Sequence, residues 1–325
     1  MEIIRDISAT TLAEPVVQTI GGFDGLHLGH QYLLQQVRQA ALQRHAKTMV
    51  VTFSSHPSAT LRPQAPVRLL TTLQEKLDLL SRQSIDYVAV LHFTPQMAAM
   101  SAQFFMESIL KRQLHATALL MGYDHRFGHQ SADTLANYQH YGAQLGIEVI
   151  RALEMPPLQG RHVSSSAIRQ ALTNGDIALA NELLGRPYSL TGTVTHGQGI
   201  GRSLGFPTAN IQPADPLKLL PRHGAYAVSV TVPDDSAPHL GMLYIGNRPT
   251  FRALPEERIE VHLLDYHSDL YGQTLRIDFL RHLRGEQAFA TPADLQRQLQ
   301  ADLQKIREEI PSYPPKGGGS VSGKR

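Results

Sequence analysis

Gly21-Gly22-Phe23-Asp24-Gly25-Leu26-His27-Leu28-Gly29-His30 is the stretch whose reading decides the fold of the first half. It follows an apolar run, Pro15 to Ile20, and precedes a segment in which Leu33, Leu34, Val37, Ala40 and Ala41 recur at helical spacing. The order is therefore strand, glycine-rich turn, helix. Glycines bring backbone N–H groups close to whatever lies above the turn, and the helix that follows adds the positive end of its dipole. His27 and His30 are three residues apart, which in the first helical turn sets both on one side. The bland alternative is a plain strand-to-helix turn with two solvated histidines. The density of glycine and histidine between a strand and a helix favours an anion site.

Outward from this turn, the first half alternates. Apolar runs rich in β-branched residues lie at 16–20, 49–53, 87–93, 118–121 and 147–153, with helical patterns at 30–44, 72–82, 101–110 and 134–145. This alternation predicts an α/β unit with a parallel sheet covered on both faces. Ligands of such sheets sit beyond the carboxyl ends of the strands. His27, His30, His56 (after the run ending at Phe53) and Asp124 (after Met121) all fall at such ends.

Ser164-Ser165-Ser166 then opens a short helical segment through Leu172, read either as a serine cap or, with Arg169, as a second anion site. A helical stretch over 177–184 ends at Gly185 and Pro187, which suits a helix stop and a domain boundary. Beyond it, strand-like runs at 188–196, 225–232, 242–245, 259–264 and 275–280 follow one another with no helix between most of them. They predict an antiparallel barrel or sandwich. One closing helix is expected: Thr291 as cap, Pro292 at its first position, and Leu295, Leu299, Leu303, Ile306 and Ile310 as its apolar stripe. From Pro311 on, the residues are mostly Ser, Pro, Gly and Lys, the composition of a disordered tail. Gly318, Gly323 and Lys324 mimic the spacing of a phosphate-binding P-loop, but Arg325 stands in place of the Ser/Thr and no strand precedes.

The 325 residues fit two domains. Cysteine is absent, which excludes disulfides, thiolate metal sites and a cysteine nucleophile. A net charge of +2 and the lack of a dense basic run give no support for nucleic acid as partner. Met1–Asp6 lacks the features of a signal peptide, and no apolar run approaches the ~20 residues of a membrane span. The expectation is a cytoplasmic chain without a membrane partner.

In the second half, Gly197–Asn210 carries four glycines and Arg202 ahead of Pro207-Thr208, suiting a loop over phosphates. Gly201 and Arg202 would meet the phosphates. Thr208 and Asn210 offer hard oxygens suited to Mg²⁺; a glycine-rich hairpin is an equal reading of the composition. Glu260 lies in the alternating run Arg258-Ile259-Glu260-Val261-His262, sharing a face with His262. Facing the barrel interior it is a general-base candidate; facing water it is inert. Arg281 and Arg284 are candidates for neutralising phosphates, or plain surface residues.

These residues carry a resemblance. GGFDGLHLGH from Gly21, TFSSHP from Thr52, GYDHRFG from Gly122, SSSAIRQAL from Ser164, GRSLGFPTAN from Gly201, IGNRPTF from Ile245 and EVHLLDYHSDLYG from Glu260 together resemble the bacterial bifunctional riboflavin kinase/FAD synthetase family, in its order, over about residues 15–310. The resemblance implies a Rossmann-like FMN adenylyltransferase over 1–185, a riboflavin kinase built on a six-stranded antiparallel β-barrel over 186–310, and a tail over 311–325. ATP is then the co-substrate and Mg²⁺ the cofactor, with riboflavin, FMN, FAD, ADP and pyrophosphate as ligands.

Carried over position by position, His27 and His30 match the ATP-phosphate histidines, with Gly22, Phe23 and Gly29 in the same motif. Ser164, Ser165 and Arg169 match the second phosphate motif, and Asp124 lies in the nucleotide motif. Thr208 and Asn210 match the Mg·ATP motif, and Glu260 the base. His56, Arg281 and Arg284 are flavin candidates. Two stretches depart from the commoner family form, His125 and Gln130-Ser131-Ala132-Asp133. Three rivals are an RNA-acting relative, whose Lys-rich second motif is missing here, a chain with one active domain and one regulatory module, and a non-catalytic scaffold.

Overall fold

Strand β2 (Val16–Ile20) is buried along its whole length, so both of its faces need cover. A computed structural model provides it, describing residues 1–7, 12, 14–65, 67–122, 126–129, 133–196, 201, 205–247 and 257–310. Asp124, His125, Gln130–Ala132, Arg202 and the tail from 311 lie outside the described residues. The chain divides into two compact units, Met1–Ser165 and Ser166–Arg325.

The first unit is a six-stranded parallel sheet. Its strands are β1 (Glu2–Ile4), β2, β3 (Lys47–Phe53), β4 (Tyr87–Leu91), β5 (Ala116–Met121) and β6 (Glu148–Arg151), in the order β1-β4-β3-β2-β5-β6. Alternation along the strands sorts side chains to the two faces. Val16, Met49, Val51 and Leu119 join one core with Phe105, Met106 and Tyr138. Val50, Val88 and Val90 join another with Leu34, Leu77 and Leu80.

Helices α1 (Leu28–Gln43) and α3 (Leu73–Ser81) cover this second face. α5 (Ala102–Phe105) and α6 (Leu135–Leu145) cover the first, while the short α2 (Pro57–Leu61) and α4 (Pro95–Ala98) lie after β3 and β4. β2 connects towards β3 on one side, and β5 towards β6 on the other. The crevice between their carboxyl ends is thus the switch point of the sheet, the usual ligand position, and Gly21–His30 begins there.

Two features were not legible. β1 is only three residues long and pairs at the sheet edge. The helix expected over 101–110 continues past α5 as a π-helix, Met106–Gln113. Leu114 N donates to Ile109 O across the wide turn, and the buried Gln18 amide donates to Leu114 O at 2.6 Å.

The second unit is a closed antiparallel barrel, ordered β10-β11-β8-β7-β12-β9. Its strands are β7 (Tyr188–Thr195), β8 (Ala209–Pro213), β9 (Gly224–Thr231), β10 (His239–Asn247), β11 (Glu257–Leu263) and β12 (Thr274–Gly285). Leu243, Ile245, Ile259, Val261, Ile277 and Phe279 fill its interior. β8 escaped the sequence reading because only Ile211 of its five residues is buried.

Two helices, α7 (Ser165–Asn174) and α8 (Ile177–Leu184), precede the barrel. α8 is bonded to it through Asn181, which donates to Phe279 O and accepts from Tyr188 N. The closing helix α9 (Pro292–Glu309) is capped by Thr291 as expected. Its Leu299, Leu303 and Ile306 pack on Ala227 and Met242, on the outer wall of the barrel.

Gly142 of α6 touches the chain entering β6: a Cβ there would lie 2.4 Å from Ile147 O and 2.7 Å from Val149 Cγ2. Gly142→Val is expected to destabilise the first unit by about 1–3 kcal/mol, read as a lowered urea midpoint of that unit, while the unfolding transition of the barrel unit keeps its midpoint.

Candidate active sites

The Gly21–His30 turn is held in an unusual backbone conformation. Phe23 and Leu26 have φ of +48° and +37°, and Gly25 has +82°. The Phe23 and Leu26 side chains are buried in the core with Leu34 and Val50, so Phe23 presents only its backbone to a ligand. A Cβ at Gly22 would meet nothing within 4 Å, leaving open space above it. A Cβ at Gly29 would lie 3.2 Å from His27 Nδ1 and 3.5 Å from Val163 O. Glycine there lets the chain pass between the His27 ring and the backbone at Val163.

His27 is not within the first turn of α1; it is its N-cap. Its Nδ1 accepts from His30 N at 3.3 Å, which in a neutral imidazole leaves the proton on Nε2 as a donor. The two rings stack at 3.6 Å between centroids, 19° from parallel. The pair therefore acts as one imidazole stack at the helix N-terminus.

Two residues that the motif reading passed over fix this turn. Asp24, buried, accepts from Leu70 N (3.0 Å), Thr71 N (2.9 Å) and Thr71 Oγ1 (3.1 Å). Its own carbonyl accepts from Ser165 Oγ at 2.9 Å, which joins the serine motif to the turn. Lys76, on α3, donates from Nζ to Gly22 O (3.1 Å), Thr52 Oγ1 (3.0 Å) and Phe53 O (3.0 Å). It thereby ties the ends of β2 and β3 together. Burial brings the Lys76 amine down to about 8, against a smaller upward pull from Asp24. A signal was present: Lys76 sits among Leu73, Leu77 and Leu80, on the apolar face of an amphipathic helix.

Of the remaining first-half candidates, Ser164 directly precedes α7 and Arg169 lies on it. His56 caps α2, accepting from Ser58 N at 3.2 Å and pairing with Ser58 Oγ at 2.7 Å.

In the barrel, the alternation of β11 buries Ile259, Val261 and Leu263 inside. Glu260 therefore faces neither of the environments weighed from the sequence. It lies on the outer wall, in a cavity of about 330 Å³ walled by Tyr244, Arg258, His262, Arg284 and Phe289 and by Leu295 and Leu299 of α9. Asn210 of β8 stands opposite Glu260 on one side and Tyr244 of β10 on the other. Tyr244 donates its hydroxyl to Glu286 and is pushed up to about 12, first by burial and then by that carboxylate.

Arg284 is fixed by Asp302 of α9 at 2.9 Å and lies 5.7 Å from the Phe289 ring centre. Arg281 pairs with Glu309 at 3.1 Å and is absent from the cavity wall. Thr208 lines this cavity and also a second one, of about 430 Å³, walled by Val194, Tyr266, Asp269 and Tyr271. A Cβ at Gly201 would lie 2.3 Å from Phe206 O and 3.1 Å from Thr208 Oγ1, so the loop backbone rests directly against the Thr208 hydroxyl.

A glycine-histidine turn at the switch point of a parallel sheet, and a barrel with a carboxylate in a walled cavity, are arrangements suited to a two-domain phosphate-transferring enzyme. The family model for FAD synthetase matches residues 9–167, and the one for riboflavin kinase matches residues 184–310. Proteins named bifunctional riboflavin kinase/FMN adenylyltransferase are similar over most of their length. The one from Escherichia coli K12 is 37% identical over 95% of this chain and 97% of its own. That of Listeria monocytogenes is 36% identical over 90% and 91%, and that of Haemophilus influenzae 35% over 94% and 98%. The chain belongs to the bifunctional riboflavin kinase/FMN adenylyltransferase family.

Each half matches its own model, which does not favour the reading with one non-catalytic domain. A solved Streptococcus pneumoniae structure titled as a macrolide-efflux protein superposes with a TM-score of 0.83, at 28% identity, over 94% of this chain and 98% of its own. Among the described residues here, no helix is long and apolar enough to cross a membrane.

The low Lys76 value has a pH consequence. Between about pH 8 and 10.5 the unfolded chain holds this proton and the folded chain sheds it, so stability from this group rises with pH. The stability of the parent chain relative to Lys76→Met is expected to increase across that window by up to about 3 kcal/mol, measured by urea unfolding of the first unit at pH 7.5 and 10.5.

Proposed function

We propose that the barrel phosphorylates riboflavin with Glu260 as general base, and that the parallel-sheet unit transfers AMP to the resulting FMN. The observation that carries the first part is the shared face of Glu260, Asn210 and Thr208, where Thr208 borders both cavities. The cavity walled by Phe289, Leu295 and Leu299 suits the flavin ring, and the one walled by Tyr266, Asp269 and Tyr271 suits the nucleotide. Phosphates then pass beside Thr208 and the backbone of Gly201. Thr208 and Asn210 fit Mg²⁺ as two neutral hard oxygens, a small set that leaves room for phosphate and water ligands. The ion, when bound, neutralises charge on the transferring phosphoryl group.

Glu260 takes the proton of the ribityl 5′-hydroxyl as that oxygen bonds to the γ-phosphorus, and ADP leaves. Arg284, held by Asp302, contributes positive charge at the flavin side of the cavity. In the second reaction, an oxygen of the FMN phosphate attacks the α-phosphorus of another ATP, and pyrophosphate leaves. A phosphate monoester is already a nucleophile, so no side-chain base is needed. His27 Nε2–H, His30 and the N-terminus of α1 stabilise the growing negative charge. Arg169, Asp124 and Arg202 are assigned phosphate roles, and His56 and Arg281 flavin contacts, from their positions in the motifs alone. The adenylyltransferase function is assigned to residues 1–185 and the kinase to 186–310.

The test is incubation with riboflavin, ATP and Mg²⁺, separating FMN from FAD over time. Glu260→Gln is expected to slow FMN formation by ~10²–10⁴-fold and to leave conversion of added FMN intact. His30→Ala should do the reverse, by ~10²–10³-fold. Loss of the same step in both variants would refute the assignment of the two chemistries.

A further inference from the structure

The cavity that holds Glu260 carries two guanidinium groups with different attachments. Arg284 is committed to Asp302, whose other oxygen accepts from Gln298 Nε2 at 2.9 Å. Arg258 is bonded to Glu260 itself, NH2 to Oε1 at 2.5 Å, with the two side chains 27% and 14% exposed. It has no other hydrogen-bond partner among the described residues, and Oε2 of Glu260 has none.

The arrangement follows from the strand. Arg258 and Glu260 are two residues apart on β11, so they share the outer face. Across the strand from Arg258 is Gly246, and the space above that glycine is filled by the Tyr244 ring: a Cβ there would lie 2.4 Å from the Tyr244 hydroxyl oxygen. Arg258 reaches along its own strand to the carboxylate.

The other charged or titratable groups around Glu260 are accounted for. His262 Nδ1 is 2.8 Å from Pro207 O. Tyr244 is bonded to Glu286, and Arg284 to Asp302. The α9 residues facing the cavity, Leu295 and Leu299, are apolar.

We infer that Arg258 is a positioning residue of the kinase site: it holds one oxygen of the Glu260 carboxylate and leaves the other directed to the substrate hydroxyl. This rests on the reading of Glu260 as base. A carboxylate free to rotate presents a proton-accepting lone pair at the reacting distance only part of the time. Clamping one oxygen removes that freedom, and catalysis of this kind depends on such orientation. The clamp acts on the chemical step rather than on substrate affinity.

The experiment measures FMN formation with riboflavin and Mg·ATP in the full chain. Arg258→Gln is expected to lower kcat about tenfold, with KM for riboflavin and ATP changed less than threefold and FMN-to-FAD conversion unchanged. Arg258→Lys, which keeps a cationic donor, should recover most of the loss. In a Glu260→Gln background, Arg258→Gln should cost nothing further, because the group it positions is gone.

The inference is overturned if Arg258→Gln keeps kcat, if it acts through KM alone, or if it costs the same factor in both backgrounds. A Glu260→Gln variant that still makes FMN at the parent rate overturns the base assignment instead. A fall in both activities of Arg258→Gln points to a folding defect and also overturns the positioning role.

Discussion

The carboxylate of Asp24 is the interaction on which the first site depends. The turn around it holds Phe23 and Leu26 at positive φ, a strain on the order of 1–3 kcal/mol for each residue. Three hydrogen bonds to an ionised acceptor, each worth about 1.5–3 kcal/mol, offset that strain. Lys76 acts from the other side, on the carbonyl of Gly22 and the end of β3. Both groups are buried and charged, and both are saturated with partners, the condition under which burial of charge is tolerated. The glycines supply close approach; this pair supplies rigidity. Replacing either side chain by an apolar one would leave several buried partners unsatisfied.

The barrel solves its own problem by periodicity. A strand side chain has two faces to choose from, and in β11 every second residue fills the interior. Polar residues are pushed to the outer wall, which in most small barrels would expose them to water. Here α9 packs over part of that wall through Leu299, Leu303 and Ile306. The result is a walled cavity on the outside of the barrel, where a carboxylate is partly desolvated yet reachable. Asp302, on the same helix, pairs with Arg284 of β12, so one helix both walls the cavity and holds one of its guanidinium groups in place.

The two reactions ask for different things. On the proposed assignment, transfer to a hydroxyl needs a base, and Glu260, with cross-strand neighbours of fixed register, is the carboxylate placed for it. Transfer to a phosphate needs no base, only donors at the site of growing charge. The first unit has imidazoles, backbone N–H groups and a helix end grouped at its glycine-histidine turn, which the same assignment uses as those donors. The family to which the chain belongs carries both activities on one polypeptide.

Alternation of apolar runs with helical patterns determined the parallel sheet, and the ordered motifs determined the family. Local chemistry alone placed the α9 cap and stripe, because caps and periodicity are properties of neighbouring residues. The short edge strand β1, the π-helical continuation of α5 and strand β8 were settled by partners distant in sequence. So were the roles of Asp24 and Lys76, whose bonds span 46 to 54 residues in the contacts with Leu70, Thr71 and Gly22. The direction of Glu260 was a choice between inside and outside that alternation poses but does not answer. Barrel closure and the packing of α9 answered it, because only they decide which face of β11 meets the core and what covers the other.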